Sequence, residues 1–219
     1  MSDEKYYIQR MDYEKAHQYL TDLKMIFDNA KIPFMLFFGT LLGACRERDF
    51  IKHDTHVDVA IFGRDIDKVM SVRPKFEKLG YRFSPFINLK SSNKPTQVII
   101  SRVENEVMKI DVYTLFLFRA VRWYVRYIRT RLALIPELKV DKEMREHSVP
   151  FHSKFFKKLR TINFRGQEYL TPGPESHSIL DYLWGFDKWK IRGLGQVGDQ
   201  PLAVWFKMGE LIDEENTNE

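Results

Sequence analysis

Two runs in this chain alternate apolar and polar residues, and each puts an aspartate on its polar side. They are HVDVAIF, residues 56–62, and EVMKIDVYTLF, residues 106–116. A strand turns successive side chains to opposite faces. In the first run Val57, Val59 and Ile61 share one face, and His56, Asp58 and Ala60 the other. In the second, Met108, Ile110 and Val112 oppose Lys109, Asp111 and Tyr113. A carboxylate on a core strand is costly unless a partner compensates it. Two such strands, far apart in sequence, favour a sheet that carries acidic groups toward one site.

The rest of the chain reads as an α/β unit. Asp12 caps a helix running to about Ala30, with Ala16, Leu20, Leu23, Phe27 and Ala30 on one stripe. Pro33 ends it, and FMLFF follows as a buried strand. Gly39-Thr40 turns the chain into a short helix, LLGACRER. RDIDKVMSVRPKFEKLG is a helix interrupted near Pro74. YRFSPF and QVIISR are further strands. RAVRWYVRYIRTRLAL reads as a basic, aromatic helix. LRTINFRGQEYLT suggests a hairpin around Gly166, and a short helix starts near Pro174. Residues 1–190 form one domain, with a core of about 12–115 and a C-terminal elaboration of about 116–190. Residues 191–219 are an extension ending in an acidic tail.

Composition narrows the function classes. Hydrophobic residues are 44% of the 219, enough for a core. The net charge of +5 suits nucleotides, a polyanionic acceptor or an anionic membrane, and is too mild to argue for DNA. The lone Cys45 allows no disulfide within the chain and reads as a small buried thiol, so a cytoplasmic, reducing setting is expected. No leader is evident, and the longest apolar stretch, 32–45, is too short and glycine-broken to span a bilayer. Arg119, Arg122, Arg126 and Arg129 fall at helical spacings beside Trp123, Tyr124 and Tyr127. Such a face suits the inner surface of an anionic membrane, an anionic glycan or a diphosphate, and equally a plain solvated helix. Lys154, Lys157, Lys158 and Arg160 form a solvated basic cluster that can also face donor phosphate. His147, His152 and His177 read as surface or cap residues. GLGQVG at 193–198 lacks a preceding strand and reads as a loop.

Phosphoryl transfer from a nucleotide needs a divalent cation and groups that position phosphates. Magnesium takes hard oxygen donors, so two or three carboxylates suffice. Asp54, His56 and Asp58 sit at alternate positions, and Asp111 lies on a later strand. Gly39 allows close backbone approach to a phosphate, Thr40 offers a hydroxyl, and Arg46 a guanidinium fork. Each has a plainer reading: Thr40 as a turn or cap residue, Asp111 as a structural cap.

The stretch GTLLGACRERDFIKHDTHVDV, 39–59, resembles the LicD/fukutin family of the nucleotidyltransferase superfamily, whose pattern is roughly G-T-L-L-G-A-x-R followed by F-I-P-W-D-D-D-I-D. Gly39, Thr40, Leu41, Leu42, Gly43, Ala44, Arg46, Phe50, Ile51, Asp54 and Asp58 match it. KIDVYTLF resembles the family's later aspartate segment, at Asp111. INFRGQEYLTPGPESHSILDYLWGFDKWK is similar to its ending, through Phe164, Gly166, Pro172, Leu180, Tyr182, Gly185 and Trp189. The resemblance implies a nucleotidyltransferase-like mixed sheet flanked by helices, with a C-terminal elaboration. It implies Mg2+ or Mn2+ at Asp54, Asp58 and Asp111, which would be the catalytic residues, and donor binding by Gly39, Thr40 and Arg46. The activity implied is transfer of a phosphorylated alcohol, such as phosphocholine or ribitol phosphate, from a CDP-activated donor to a glycan or lipid-linked sugar. The alternatives are NMP transfer to a small molecule or polymer, and a non-catalytic nucleotide- or glycan-binding homologue. Three departures stand out: Lys52-His53 replace the family's proline and tryptophan, Thr55 its second aspartate, and His56 its middle one. Imidazole suits manganese or zinc better than magnesium. Either Asp54, Asp58 and Asp111 work alone, or His56 is a ligand or base, or the site has lost catalysis. A fourth, plain reading has His56 only hydrogen-bonding a neighbouring aspartate.

Overall fold

The computed structural model describes residues 11–52, 54–86, 94–102, 105–118, 123–131, 146–173 and 176–191. The elements run α1 (Tyr13–Asn29), β1 (Phe34–Leu36), α2 (Phe38–Arg46), β2 (His56–Phe62), α3 (Ile66–Ser71), α4 (Arg73–Lys78), β3 (Tyr81–Phe86), β4 (Gln97–Arg102), β5 (Asn105–Phe118), β6 (Trp123–Arg131), β7 (Glu146–His152), β8 (Arg160–Phe164), β9 (Gln167–Thr171) and α5 (Ser176–Trp184). They build one mixed sheet in the order β3-β4-β5-β2-β1-β9-β8, with β6 on β5 and β7 on β6. β2 is antiparallel to β1 and parallel to β5. This is the α/β arrangement expected, with helices flanking a mixed sheet.

The apolar stripe of α1 forms as its spacing predicts. Ala16, Leu20, Leu23 and Phe27 are fully buried, and α1 contacts β2 and β5. Burying side chains such as Leu20, Leu23 and Phe27 stabilises by roughly 1.5–3 kcal/mol each. Asp12 caps the helix, its Oδ1 accepting from the Lys15 amide at 3.1 Å. The stripe also carries a polar residue. Buried Asp22 accepts hydrogen bonds from the Tyr81 hydroxyl and Gln18 Nε2, both at 2.7 Å, and Arg102 lies 4.7 Å over the Tyr81 ring. A buried carboxylate with such partners avoids the desolvation cost that an unpaired one would carry.

β2 is the inner strand that matters most. Every residue from Val57 to Phe62 is buried, so both of its faces are covered. Its register against β5 sets Asp58 beside Asp111 and Ala60 beside Tyr113. The long helix expected over 64–80 divides at Val72, with Pro74 in the first turn of α4, where proline lacks no needed hydrogen bond.

Three expectations are corrected. The basic helix across RAVRWYVRYIRTRLAL is replaced by strand β6 over Trp123–Arg131, paired with β5 and β7. Trp123, Tyr124, Val125, Tyr127, Ile128 and Thr130 are aromatic or β-branched, and that composition outweighs the spacing of the arginines. Arg126 and Arg129 therefore lie on a strand and share no helical stripe, while Arg119 and Arg122 lie outside the described residues. Gly39 and Thr40 do not precede a helix; they form the first turn of α2. Cys45 is half-buried rather than enclosed. His53 and residues 192–219, including GLGQVG, also lie outside the described residues. Lys154, Lys157, Lys158 and Arg160 are exposed, as a solvated face requires. Among the described residues no helix is long and apolar enough to cross a membrane.

Candidate active site

The N-terminus of α2 meets the polar face of β2 and β5. Asp58 is pinned there by four hydrogen bonds. Its carboxylate Oδ2 accepts from the Gly39 amide at 3.0 Å, and its Oδ1 accepts from the Tyr113 hydroxyl at 3.1 Å. Its own amide donates to Thr40 Oγ1 at 2.8 Å, and its carbonyl accepts from the Phe37 amide at 3.0 Å. The free amides at a helix N-terminus favour an anion, and here that anion is a side chain of the protein itself. Thr40, buried and tied to the Asp58 backbone, anchors the carboxylate.

Asp54 joins from the loop before β2. Its Oδ1 accepts from the amides of Thr55 at 2.8 Å and His56 at 3.0 Å, an Asx turn that fixes the side chain. Its Oδ2 points toward Gly39. A Cβ on Gly39 would overlap Asp54 Oδ2 and stand 3.1 Å from Asp58 Oδ2. Glycine at 39 is therefore what lets the two carboxylates share that space. Burial pushes the Asp54 carboxyl up, and the Asp111 charge adds to this; the two amide bonds and His56 act against it.

Asp111 completes the group. It is buried, and its Oδ2 accepts from the Tyr113 hydroxyl at 3.2 Å and lies 3.9 Å from His56 Nδ1. Its Oδ1 is buried with no hydrogen-bond partner among the described residues. An orphaned carboxylate oxygen beside two further carboxylates fits a hard divalent cation in donor chemistry. Among the described residues, though, no three such side chains already stand as a closed ligand set. Tyr113 stands between two of them.

The structure thus brings together Gly39, Thr40, Asp54, His56, Asp58 and Asp111. Arg46 is placed differently. Its Nε pairs with Glu47 Oε1 at 2.7 Å, and its Nη1 donates to the carbonyls of Trp189 at 3.3 Å and Ile191 at 3.2 Å. That ties α2 to the segment after α5. Tyr113 was not singled out from the sequence, although its position two residues from Asp111 on the same strand face was the available signal. Phe37, Phe38 and Phe151 form an aromatic wall beside it; Phe38 meets the Tyr113 ring edge-on at 5.3 Å and holds a left-handed backbone, φ 36°. A non-glycine residue there carries backbone strain.

The family profile described as "LicD/FKTN/FKRP, nucleotidyltransferase domain" matches residues 31–173. A curated relative, the uncharacterized protein RP689 of Rickettsia prowazekii (strain Madrid E), is 32% identical over 87 residues, covering 38% of this chain. The match spans only 33% of that relative's length. Among solved structures, the lincosamide antibiotic adenylyltransferase LnuA bound to lincomycin aligns with TM-score 0.44 and 15% identity, covering 76% of this chain and 84% of that one. The antibiotic-resistance factor ANT(2'')-Ia aligns with TM-score 0.38 and 12% identity, covering 63% and 65%.

Proposed function

We propose, from the premise that this chain belongs to the LicD/FKTN/FKRP family and carries its nucleotidyltransferase domain, that it transfers a phosphorylated alcohol from a CDP-activated donor to a sugar hydroxyl of a glycan or glycolipid. The observation that carries this reading is the gathering of Asp54, Asp58 and Asp111 at the N-terminus of α2, with Asp111 Oδ1 buried and without a partner among the described residues.

In this reading the acceptor hydroxyl attacks the phosphorus that bears the alcohol. The new bond is sugar oxygen to phosphorus, the broken bond is the one to the bridging oxygen, and CMP leaves. A magnesium or manganese ion bound at the carboxylates supplies neutralising charge for the phosphate oxygens. Asp58 and Asp54 are the residues that would hold it, with Asp111 as third ligand or as the base that takes the hydroxyl proton. Gly39 and Thr40 act through Asp58, fixing where its carboxylate stands. Arg46 braces α2 through Trp189 and Ile191 and is the residue whose guanidinium would meet donor phosphate. His56, half-exposed with its Nδ1 3.9 Å from Asp111 Oδ2, would serve as a further ligand or a base, or would only hydrogen-bond that aspartate. The reading places this chemistry in the cytoplasm; contact with an anionic membrane through the arginine-rich stretch remains part of the proposal.

A thermal-shift panel tests the reading. CDP-alcohols with Mg2+ or Mn2+ are expected to raise the melting temperature more than nucleoside triphosphates do. A larger shift from triphosphates favours NMP transfer with pyrophosphate as leaving group. Nucleotide binding that is independent of the metal and survives Asp58→Ala points to a non-catalytic binding role. His56→Asp restores the family carboxylate and is expected to strengthen magnesium-dependent binding; no change would exclude His56 from the metal's surroundings.

A further inference from the structure

We infer that Tyr113 is a positioning residue for the cation site: its hydroxyl sets the spacing of Asp58 and Asp111, and through them the affinity for a divalent cation. The inference rests on the cation reading above.

The Tyr113 oxygen lies 3.1 Å from Asp58 Oδ1 and 3.2 Å from Asp111 Oδ2. A phenol has one proton to donate, so it serves one carboxylate fully at any moment and bridges the pair by exchange. Two carboxylates in register on adjacent parallel strands repel each other; the Gly39 amide holds that of Asp58, but among the described residues no backbone amide holds that of Asp111 at a given separation from it. The hydroxyl does. It can reach both because the residue beside Tyr113 across the strand pair is Ala60, whose methyl leaves room for the ring. The ring itself is fixed by packing against Phe37, at 6.5 Å, and Phe38, at 5.3 Å. The bridge leaves Asp111 Oδ1 as a buried oxygen without a partner among the described residues, and so as the atom presented to an incoming cation. Groups that hydrogen-bond to metal ligands govern affinity because they fix ligand orientation.

The test compares wild type with Tyr113→Phe, which keeps the ring and removes the hydroxyl. Mn2+ alone is titrated, with free Mn2+ read by electron paramagnetic resonance. Loss of such a supporting hydrogen bond is expected to weaken Mn2+ binding about 10-fold or more. Binding of CDP-choline in EDTA should stay the same in both proteins, a split that a merely structural role would not produce. Equal or tighter Mn2+ binding in Tyr113→Phe overturns the inference and leaves the cation reading standing, whereas a wild type that binds no Mn2+ overturns both. If Tyr113→Phe does not fold, the near-ultraviolet difference spectrum of the wild type decides. A tyrosine perturbation on Mn2+ addition that is absent from Asp58→Ala supports the inference, and its absence from the wild type overturns it.

Discussion

Asp58→Ala is expected to reduce CMP release from the preferred CDP-alcohol by about 10²–10³-fold, since charge stabilisation by a bound metal is worth several kcal/mol and each 1.4 kcal/mol is tenfold in rate. Asp54 Oδ1 is occupied by two backbone amides, and among the described residues one oxygen of Asp111, Oδ1, lacks a partner, so neither replaces both oxygens of Asp58. The fold should survive. The substitution leaves the Gly39 amide short of an acceptor, a loss of about 1–3 kcal/mol for a buried group, while the Tyr113 hydroxyl keeps Asp111 Oδ2 as its acceptor. It also removes one of three crowded negative charges, which acts in the opposite direction. A urea melt near wild type together with lost CMP release is the expected pair of results. Retention of more than half the rate would remove Asp58 from the chemistry.

Gly39→Ala is expected to lower CMP release at least about 100-fold, because a displacement of about 1 Å in a reacting constellation costs that much. Helix propensity alone predicts the reverse for stability, since alanine is favoured over glycine by about 1 kcal/mol within a helix. Geometry decides against it. The new methyl would occupy the space of Asp54 Oδ2 and press on Asp58 Oδ2. Overpacking of that kind costs about 1–3 kcal/mol, or else the carboxylates move apart. Either way their shared space is lost. Mn2+ titration of Gly39→Ala distinguishes this from simple unfolding: a folded protein with weakened Mn2+ binding is the expected outcome, and unchanged binding would show that Asp54 plays no part with Asp58.

The strands that carry the site were legible because their pattern has period two with no glycine or proline inside, and β2 and β5 appear where HVDVAIF and EVMKIDVYTLF predict. That Asp58 and Asp111 are neighbours was implied by the family resemblance; register between distant strands is not encoded in local spacing. The same limit hid Tyr113, whose hydroxyl acquires two carboxylate partners only once β2 lies parallel beside β5. Arg46 illustrates a different limit. An arginine near a glycine-threonine pair resembles a phosphate fork, but its carbonyl partners lie at Trp189 and Ile191, brought near by tertiary packing. The Thr40 hydroxyl oxygen accepts from the Asp58 amide, a partner 18 residues away that local spacing does not reveal, and it keeps its own proton to donate. In β6 the arginine spacing suggested a helix, and the aromatic and β-branched residues between the arginines carried the better signal.

The central claim is that Asp58 and Asp111, with Asp54 beside them, bind one divalent cation at the N-terminus of α2. Anomalous diffraction at the manganese edge, from crystals grown with Mn2+, tests it most directly. A single strong peak in contact with Asp58 and Asp111 Oδ1 is expected. A peak elsewhere, or none at these carboxylates, would contradict it.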